Sequence, residues 1–339
     1  MKPPRSVLIV GAGLAGARCA ETLRAEGYDG RIRLVGAEPA APYERPALSK
    51  EFLAGERSAG ELLLRPSAYW SDNSIELVLG CRVDAIRPRP DEVVVIATGA
   101  RARRIRAPGA DTAHVLRTIS DAVALREELH AGRRLVVVGG GFVGAEVAST
   151  ATRMGVEVTM LEAGNAPFEA TLGVDVGDVL ARRYRAHGVD LRTGSAAVAL
   201  APRRVSLADG TAVPCDVVLL SVGAEPVREL VREGVVECGD AAGGPGHWTS
   251  AAADGVAAAR RILGLEPLPA QPPFFWSDQF GLRLQLVGDT RAAARVECEG
   301  SDDSFTARYF GGEGRLVAAL AANRAAEVAG FRRELALAA

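Results

Sequence analysis

Ser6-Val-Leu-Ile-Val10, followed directly by Gly11-Ala-Gly13-Leu-Ala-Gly16, is the stretch on which the fold turns. Its apolar, partly β-branched run predicts a buried strand, and the glycine spacing predicts a tight turn into a helix. Gly11 suits the turn, Gly13 lets the backbone come close to a pyrophosphate, and Gly16 lets the helix pack against the strand. A helix is expected over residues 14–26 and a second strand over 32–35. Glu38 then stands where an acid can accept hydrogen bonds from a ribose. The start of such a helix presents unpaired N–H groups and a positive dipole end, both of which favour phosphate.

The pattern recurs. A strand at 135–138 runs into Gly139-Gly-Gly141-Phe-Val-Gly144, a helix to about residue 154, and a strand at 156–161 that ends at Glu162. Two such fingerprints in one chain predict one dinucleotide-binding domain inserted into another. Each is followed by a β-branched strand that closes on small residues, Asp91–Gly99 (DEVVVIATG) and Asp216–Gly223 (DVVLLSVG). These place Ala97, Thr98, Gly99 and Gly223 beside a dinucleotide; two ordinary buried strands are the alternative. Gly239-Asp240 follows Val235-Val236 and can aim a carboxylate at a ribityl hydroxyl or at a pyrophosphate-bound water. Beyond it, an Ala-rich helix is expected over 250–263 and a linker over 267–273. Strands at 282–288, 292–297, 305–310 and 315–322, then a helix over 325–337, predict a smaller α+β domain.

Composition narrows the function classes. The chain has 339 residues, 48% hydrophobic and 24% charged, with a net charge of −2, which points away from nucleic acid and anionic membranes. No apolar run reaches the roughly 18 residues of a membrane span. Cys19, Cys81, Cys215, Cys238 and Cys298 form no CxxC or CxxxxC pair, so neither a disulfide relay nor a metal site is expected, and buried thiols in a reducing cytoplasm are the plain reading. Of 40 basic residues only Lys2 and Lys50 are lysine. A compact ammonium with a tunable pKa differs from a fixed guanidinium fork, which singles out Lys50.

Other segments carry a resemblance. Pro42-Tyr43-Glu-Arg45-Pro46-Ala-Leu-Ser49-Lys50, Leu116-Arg117-Thr118 with Asp121 and Leu125-Arg126, His247-Trp248-Thr249, and Phe275-Trp276-Ser277-Asp278-Gln279 resemble motifs of the FAD-dependent NADH:ferredoxin reductases that serve Rieske dioxygenases and bacterial cytochromes P450, the putidaredoxin reductase group. The resemblance implies an α/β chain of the glutathione-reductase-like class: two Rossmann-like domains, for FAD (1–107 and 236–267) and NAD (108–235), and a C-terminal α+β domain (268–339). It implies FAD contacts at Ala15, Glu38, Lys50, Val83, Arg126, Asp240 and Trp248, with Arg45 and Pro46 lining the flavin cleft and Trp276 near the reactive end of the ring. Gly139, Gly141, Gly144, Glu146 and Glu162 fall in the NAD unit.

Glu162 reads physically as the partner of the NADH 2′-hydroxyl, and no Arg follows in Ala163-Gly164-Asn165 to accept a 2′-phosphate. An exposed Glu without a ligand is the alternative. Lys50 and Glu146 are the implied catalytic pair: in the family they meet beside flavin and nicotinamide, where a positive charge stabilises reduced flavin. The alternative is two solvated helix-surface residues. The implied partner is a [2Fe–2S] ferredoxin, and the implied assembly a cytoplasmic monomer or homodimer. The run Arg101, Arg103, Arg104, Arg106 could meet an acidic ferredoxin, but a solvated arginine-rich loop is the better reading. Two other functions stay open: an NADH oxidase or rubredoxin-type reductase, and a weakly catalytic NADH-responsive flavoprotein. Compared with the family the chain is short before Asp91, between Val227 and Asp240, and over 193–204, which bears on how the FAD domain is supported.

Overall fold

The computed structural model describes residues 4–244 and 246–337, so Lys2 lies outside it. The chain divides into two compact units. One holds the residues up to Arg45, Ala59–Arg101 and Ala224–Ala270; the other holds Pro46–Ser58, Ala102–Gly223 and the residues from Gln271 on.

In the first unit, Ser6–Val10 lies centrally in a five-stranded parallel sheet, flanked by Arg31–Val35 and Glu92–Ile96, with Ile75–Val78 and Val236–Glu237 at the edges. Side chains alternate across a strand. Val7 and Ile9 face Ala17, Ala20 and Leu23 of the helix Leu14–Ala25 and Ala258 and Ala259 of the helix Trp248–Leu263, while Leu8 and Val10 face Val35, Val94 and Ile96. Both faces are covered, which is why the strand reads as an unbroken apolar run. The two helices touch at backbone level: a Cβ on Gly255 would lie 2.3 Å from the carbonyl oxygen of Ala15. The second helix starts two residues before its expected position, at Trp248.

The shortened segments seal the second face of this sheet. Residues 79–90 form no helix or strand, yet Ile86 is buried among Leu8, Val94 and Ile96, with Val83, Leu230, Val231 and Val235 packed around it. Arg232 Nη2 donates to the Ile86 carbonyl at 2.8 Å and ties the two short segments together.

The second unit contains another parallel sheet, in the order Val217–Leu220, Arg134–Val138, Glu157–Leu161, Asp190–Arg192, and a three-stranded antiparallel sheet of Ala197–Ala201, Arg204–Leu207 and Ala212–Pro214. Its C-terminal part is a five-stranded antiparallel sheet in the order Phe274–Gln279, Leu282–Gly288, Leu316–Ala322, Ser304–Phe310, Arg295–Ser301, against which the helix Ala325–Leu337 packs Val328, Phe331 and Leu335. The strand expected at 292–297 instead runs Arg295–Ser301, because Thr290–Ala292 is a 3-10 turn closed by the Asp289 carboxylate accepting from Arg291 N. Among the elements not anticipated are the helix Val174–Ala186, the strand Phe274–Gln279 and the three strands of the small antiparallel sheet. Among the described residues no helix is long and apolar enough to cross a membrane.

Asp216 pins the start of Val217–Leu220 to Arg134: it accepts from Arg134 N at 3.0 Å, Nε at 3.1 Å and Nη2 at 3.0 Å, and Arg203 adds a bond of 3.1 Å. Hydrogen bonds from Arg134 hold the carboxyl far below the usual carboxylate range. A depressed carboxyl pKa contributes stability that is complete above the unfolded value of about 4 and is lost as the pH falls below it. Asp216→Asn is therefore expected to lower the melting temperature near neutrality and to flatten its decline below about pH 4, as read by thermal unfolding across pH.

Candidate functional site

The two glycine turns are built alike, and each glycine has a separate cause. Gly11 has φ +117° and its Cβ would lie 2.0 Å from the carbonyl oxygen of Ala97; a Cβ on Gly16 would lie 2.0 Å from the carbonyl oxygen of Gly11. Packing of the protein itself excludes side chains there. Gly13 differs. Its φ of −84° suits any residue, and a Cβ would meet nothing within 4 Å. In the second turn, Gly139 (φ +104°) and Gly144 would place a Cβ 2.4 Å from the carbonyl oxygens of Ser221 and Gly139, while Gly141, at φ −79°, again faces open space. Nothing among the described residues requires glycine at 13 or 141, so the requirement lies with what approaches from outside. Both residues are N-caps of twelve-residue helices with no side-chain cap, leaving the first N–H groups free for an anion. This fits a dinucleotide pyrophosphate at each turn.

An acid follows the second strand of each glycine-turn unit. In the first unit Glu38 accepts from Tyr43 Oη at 2.6 Å and from Arg45 Nη2 at 2.7 Å, and the Arg45 guanidinium lies 5.1 Å over the Tyr43 ring. Burial works against the Arg45 cation, but Tyr43, Glu38 and Asp240 outweigh it and raise its pKa. In the second unit Glu162 accepts from Gly140 N and Gly164 N, both at 2.8 Å, so its carboxylate lies against the glycine turn.

Lys50 and Glu146 meet. Lys50 Nζ lies 2.8 Å from Glu146 Oε2 and donates to the Pro46 carbonyl at 2.9 Å. They are 8% and 5% exposed, so neither is a solvated surface residue. The helix Phe142–Arg153 brings this about through one face: Glu146 takes Lys50, and one turn later Thr150 Oγ1 donates to the Ser49 carbonyl at 2.8 Å. Glu146 also accepts from Ser49 Oγ at 2.5 Å and from Ser277 Oγ at 2.6 Å. A buried carboxylate with three donors, one of them an ammonium, is fully compensated.

Ser49, Ser277, Gln279 and Tyr184 had not been singled out as site residues. The signals were present. Phe275, Ser277 and Gln279 alternate along one strand, so they share a face; Phe275 lies 4.3 Å from Phe142, ring to ring, on the helix that carries Glu146. Val176, Leu180 and Tyr184 recur at helical spacing on Val174–Ala186.

The remaining expected positions have identifiable surroundings. Trp276 is half-buried on the opposite face of its strand and stacks on Phe274 at 6.1 Å. Arg126 lies 5.1 Å over the Phe52 ring and donates to the Phe52 carbonyl. Ala15 is buried against Gly239, and Val83 packs beside Ile86. Thr98 Oγ1 donates to the Val227 carbonyl at 2.6 Å between Ala97 and Gly99, Gly223 has φ +96° and its carbonyl accepts from Arg103 N, Asp240 is the second residue of the 3-10 turn Gly239–Ala242, and Trp248 opens the helix after His247. Within the arginine run, Arg101 pairs with Glu225 and Glu229 and Arg104 donates to the Ala110 and Ala113 carbonyls, while Arg103 and Arg106 are exposed. All five cysteines are free, but only Cys19, Cys215 and Cys238 are buried as expected; Cys81 and Cys298 are exposed, on an irregular segment and an edge strand. Burial raises the pKa of Cys19 well above its ordinary value and pushes that of Cys238 up to about 12, so neither is a ready thiolate.

Comparison with known proteins agrees with this geometry. Residues 5–246 match the family "Pyridine nucleotide-disulphide oxidoreductase" and residues 274–339 match "Reductase C-terminal". The chain is 36% identical to the ferredoxin–NAD(+) reductase component of the biphenyl dioxygenase system of Paraburkholderia xenovorans, covering 88% of this chain and 85% of that protein. It is 33% identical to putidaredoxin reductase of Pseudomonas putida, covering 95% and 89%. The crystal structure of the covalent putidaredoxin reductase–putidaredoxin complex superposes with a TM-score of 0.91 at 29% identity, over 98% of this chain and 93% of that one. The chain therefore belongs to the pyridine nucleotide-disulphide oxidoreductase family, with a reductase C-terminal domain over residues 274–339.

Proposed function

We propose that this protein is an FAD-dependent NADH:ferredoxin oxidoreductase, which takes hydride from NADH and passes single electrons to a [2Fe–2S] ferredoxin serving a cytochrome P450 or Rieske oxygenase. The observation that carries the reading is the pair of turns at Gly13 and Gly141, each shaped for something outside the chain. The relatives named above are reductases of ferredoxin-type partners. Bound FAD would supply the conversion between a two-electron donor and a one-electron acceptor. The first turn, Glu38 and Asp240 would hold FAD; the second turn and Glu162 would hold NADH. Lys50, held in place by Glu146, would serve the hydride step by favouring negative charge on its acceptor. Five free thiols, none paired in a CxxC or CxxxxC spacing, support direct departure of electrons from the flavin to the partner and a reducing, cytoplasmic setting.

The test is NADH-driven reduction of cytochrome c with and without an added [2Fe–2S] ferredoxin, set against oxygen uptake. Ferredoxin-dependent reduction well above oxygen uptake is expected; an equal rate without ferredoxin would favour an NADH oxidase. Glu162→Ala is expected to raise the KM for NADH about tenfold, the scale of one hydrogen-bonded contact to a charged group, with less effect on NADPH. Steady-state kinetics with both nucleotides reads this out.

A further inference from the structure

We propose that Tyr184, Gln279 and Ser277 are positioning residues: a one-way chain of hydrogen bonds that orients Glu146 and, through it, holds the Lys50 ammonium in place. The inference rests on the assignment of Lys50 to the hydride step and deepens it. Tyr184 Oη donates to Gln279 Oε1, Gln279 Nε2 donates to Ser277 Oγ at 3.1 Å, and Ser277 Oγ donates to Glu146 Oε1 at 2.6 Å. The chain has only one consistent direction. The carboxylate of Glu146 can only accept, so Ser277 spends its single proton there; toward Gln279 it can then only accept, which turns the amide nitrogen to Ser277 and the amide oxygen to Tyr184, whose hydroxyl must donate.

Glu146 Oε1 is thereby committed to Ser277, and Oε2 is left to Ser49 and Lys50. Tyr184 and Ser277 are 0% exposed and Gln279 is 2% exposed, so water does not compete for these bonds. Burial, reinforced by the nearby Glu146 charge, raises the Tyr184 pKa well above the usual phenol range, so it remains a donor throughout the working pH range. A structural cluster would need only satisfied partners. Here the donors run in series from a buried phenol to the carboxylate that holds the ammonium, and the bonds link three elements: Val174–Ala186, Phe274–Gln279 and Phe142–Arg153.

The chain's two lysines make the test direct. With lysine-selective 13C labelling of the full protein, Lys50→Ala deletes one of two Cε resonances and so assigns Lys50. Ser277→Ala and Tyr184→Phe are expected to move the Lys50 Cε resonance, and to lower the limiting rate of flavin reduction by NADH about tenfold while the NADH dissociation constant changes by less than about twofold. Ser277→Thr, which keeps the hydroxyl, is expected to restore both. Tyr184→Phe removes a single oxygen, so it carries the test if Ser277→Ala folds poorly. A lower melting temperature with an unmoved Lys50 resonance would overturn the proposal. If Lys50→Ala leaves the reduction rate unchanged, the assignment of Lys50 fails instead, and the resonance shifts still decide whether the chain holds the ammonium.

Discussion

Lys50→Ala is expected to leave FAD bound and to slow its reduction by NADH about 100-fold, the scale on which removal of one preorganised charge-stabilising group acts. The pyrophosphate turn, Glu38 and Asp240 are untouched, so the purified variant should remain yellow. What is lost is a fixed positive charge: an ammonium held 2.8 Å from Glu146 and 2.9 Å from the Pro46 carbonyl. Glu146 keeps Ser49 and Ser277 as donors, so the unpaired carboxylate is not stranded and the fold survives. Lys50→Arg should restore little, because a planar guanidinium cannot occupy the point position of the ammonium between those two oxygens. Anaerobic stopped-flow absorbance of the flavin is the measurement. A rate within about twofold of the parent would remove Lys50 from the mechanism.

The second large effect separates glycines that look alike in sequence. Gly13→Val and Gly141→Val are expected to fold, losing about 1 kcal/mol each from a poorer N-cap, because their Cβ positions meet nothing within 4 Å. Their cofactor consequences differ. Gly13→Val should purify colourless, and Gly141→Val should stay yellow but resist reduction by NADH. Gly16→Val, by contrast, should fail to fold, since its Cβ would lie 2.0 Å from the Gly11 carbonyl oxygen, inside the backbone of its own turn. Visible absorbance and thermal melting together distinguish the three. A yellow, NADH-reducible Gly13→Val protein would mean that the open turn holds no pyrophosphate.

Much of this architecture was legible because it is written locally. SVLIV followed by GAGLAG, and the same arrangement at Gly139, fix strand, turn and helix within a dozen residues; the strand Leu282–Gly288 and the helix Ala325–Leu337 carry clear apolar periodicity, and Leu316–Ala322 is an unbroken apolar run. Arg295–Ser301 was misplaced because it is almost wholly exposed and shows no apolar alternation. The Lys50–Glu146 contact joins distant parts of the chain, and no spacing rule reaches that far; only the resemblance of the surrounding motifs suggested it. Ser277 and Gln279 were hidden differently. Their segment stood out as a motif, but its reading as a strand, and hence its alternation, was missed, so the side facing Glu146 went unrecognised. The segments at 79–90 and 227–235 carried no signal of their packing, because one isoleucine in a Pro- and Arg-rich stretch does not announce that it fills a core.

The most direct test of the two nucleotide cradles is an anaerobic NADH titration of the purified, flavin-loaded protein, followed by its visible absorbance. The structure and its relatives predict that one equivalent of NADH bleaches the flavin, and that oxidised [2Fe–2S] ferredoxin restores the colour. A flavin that stays oxidised in excess NADH, or a protein that binds no FAD on reconstitution, would contradict the account.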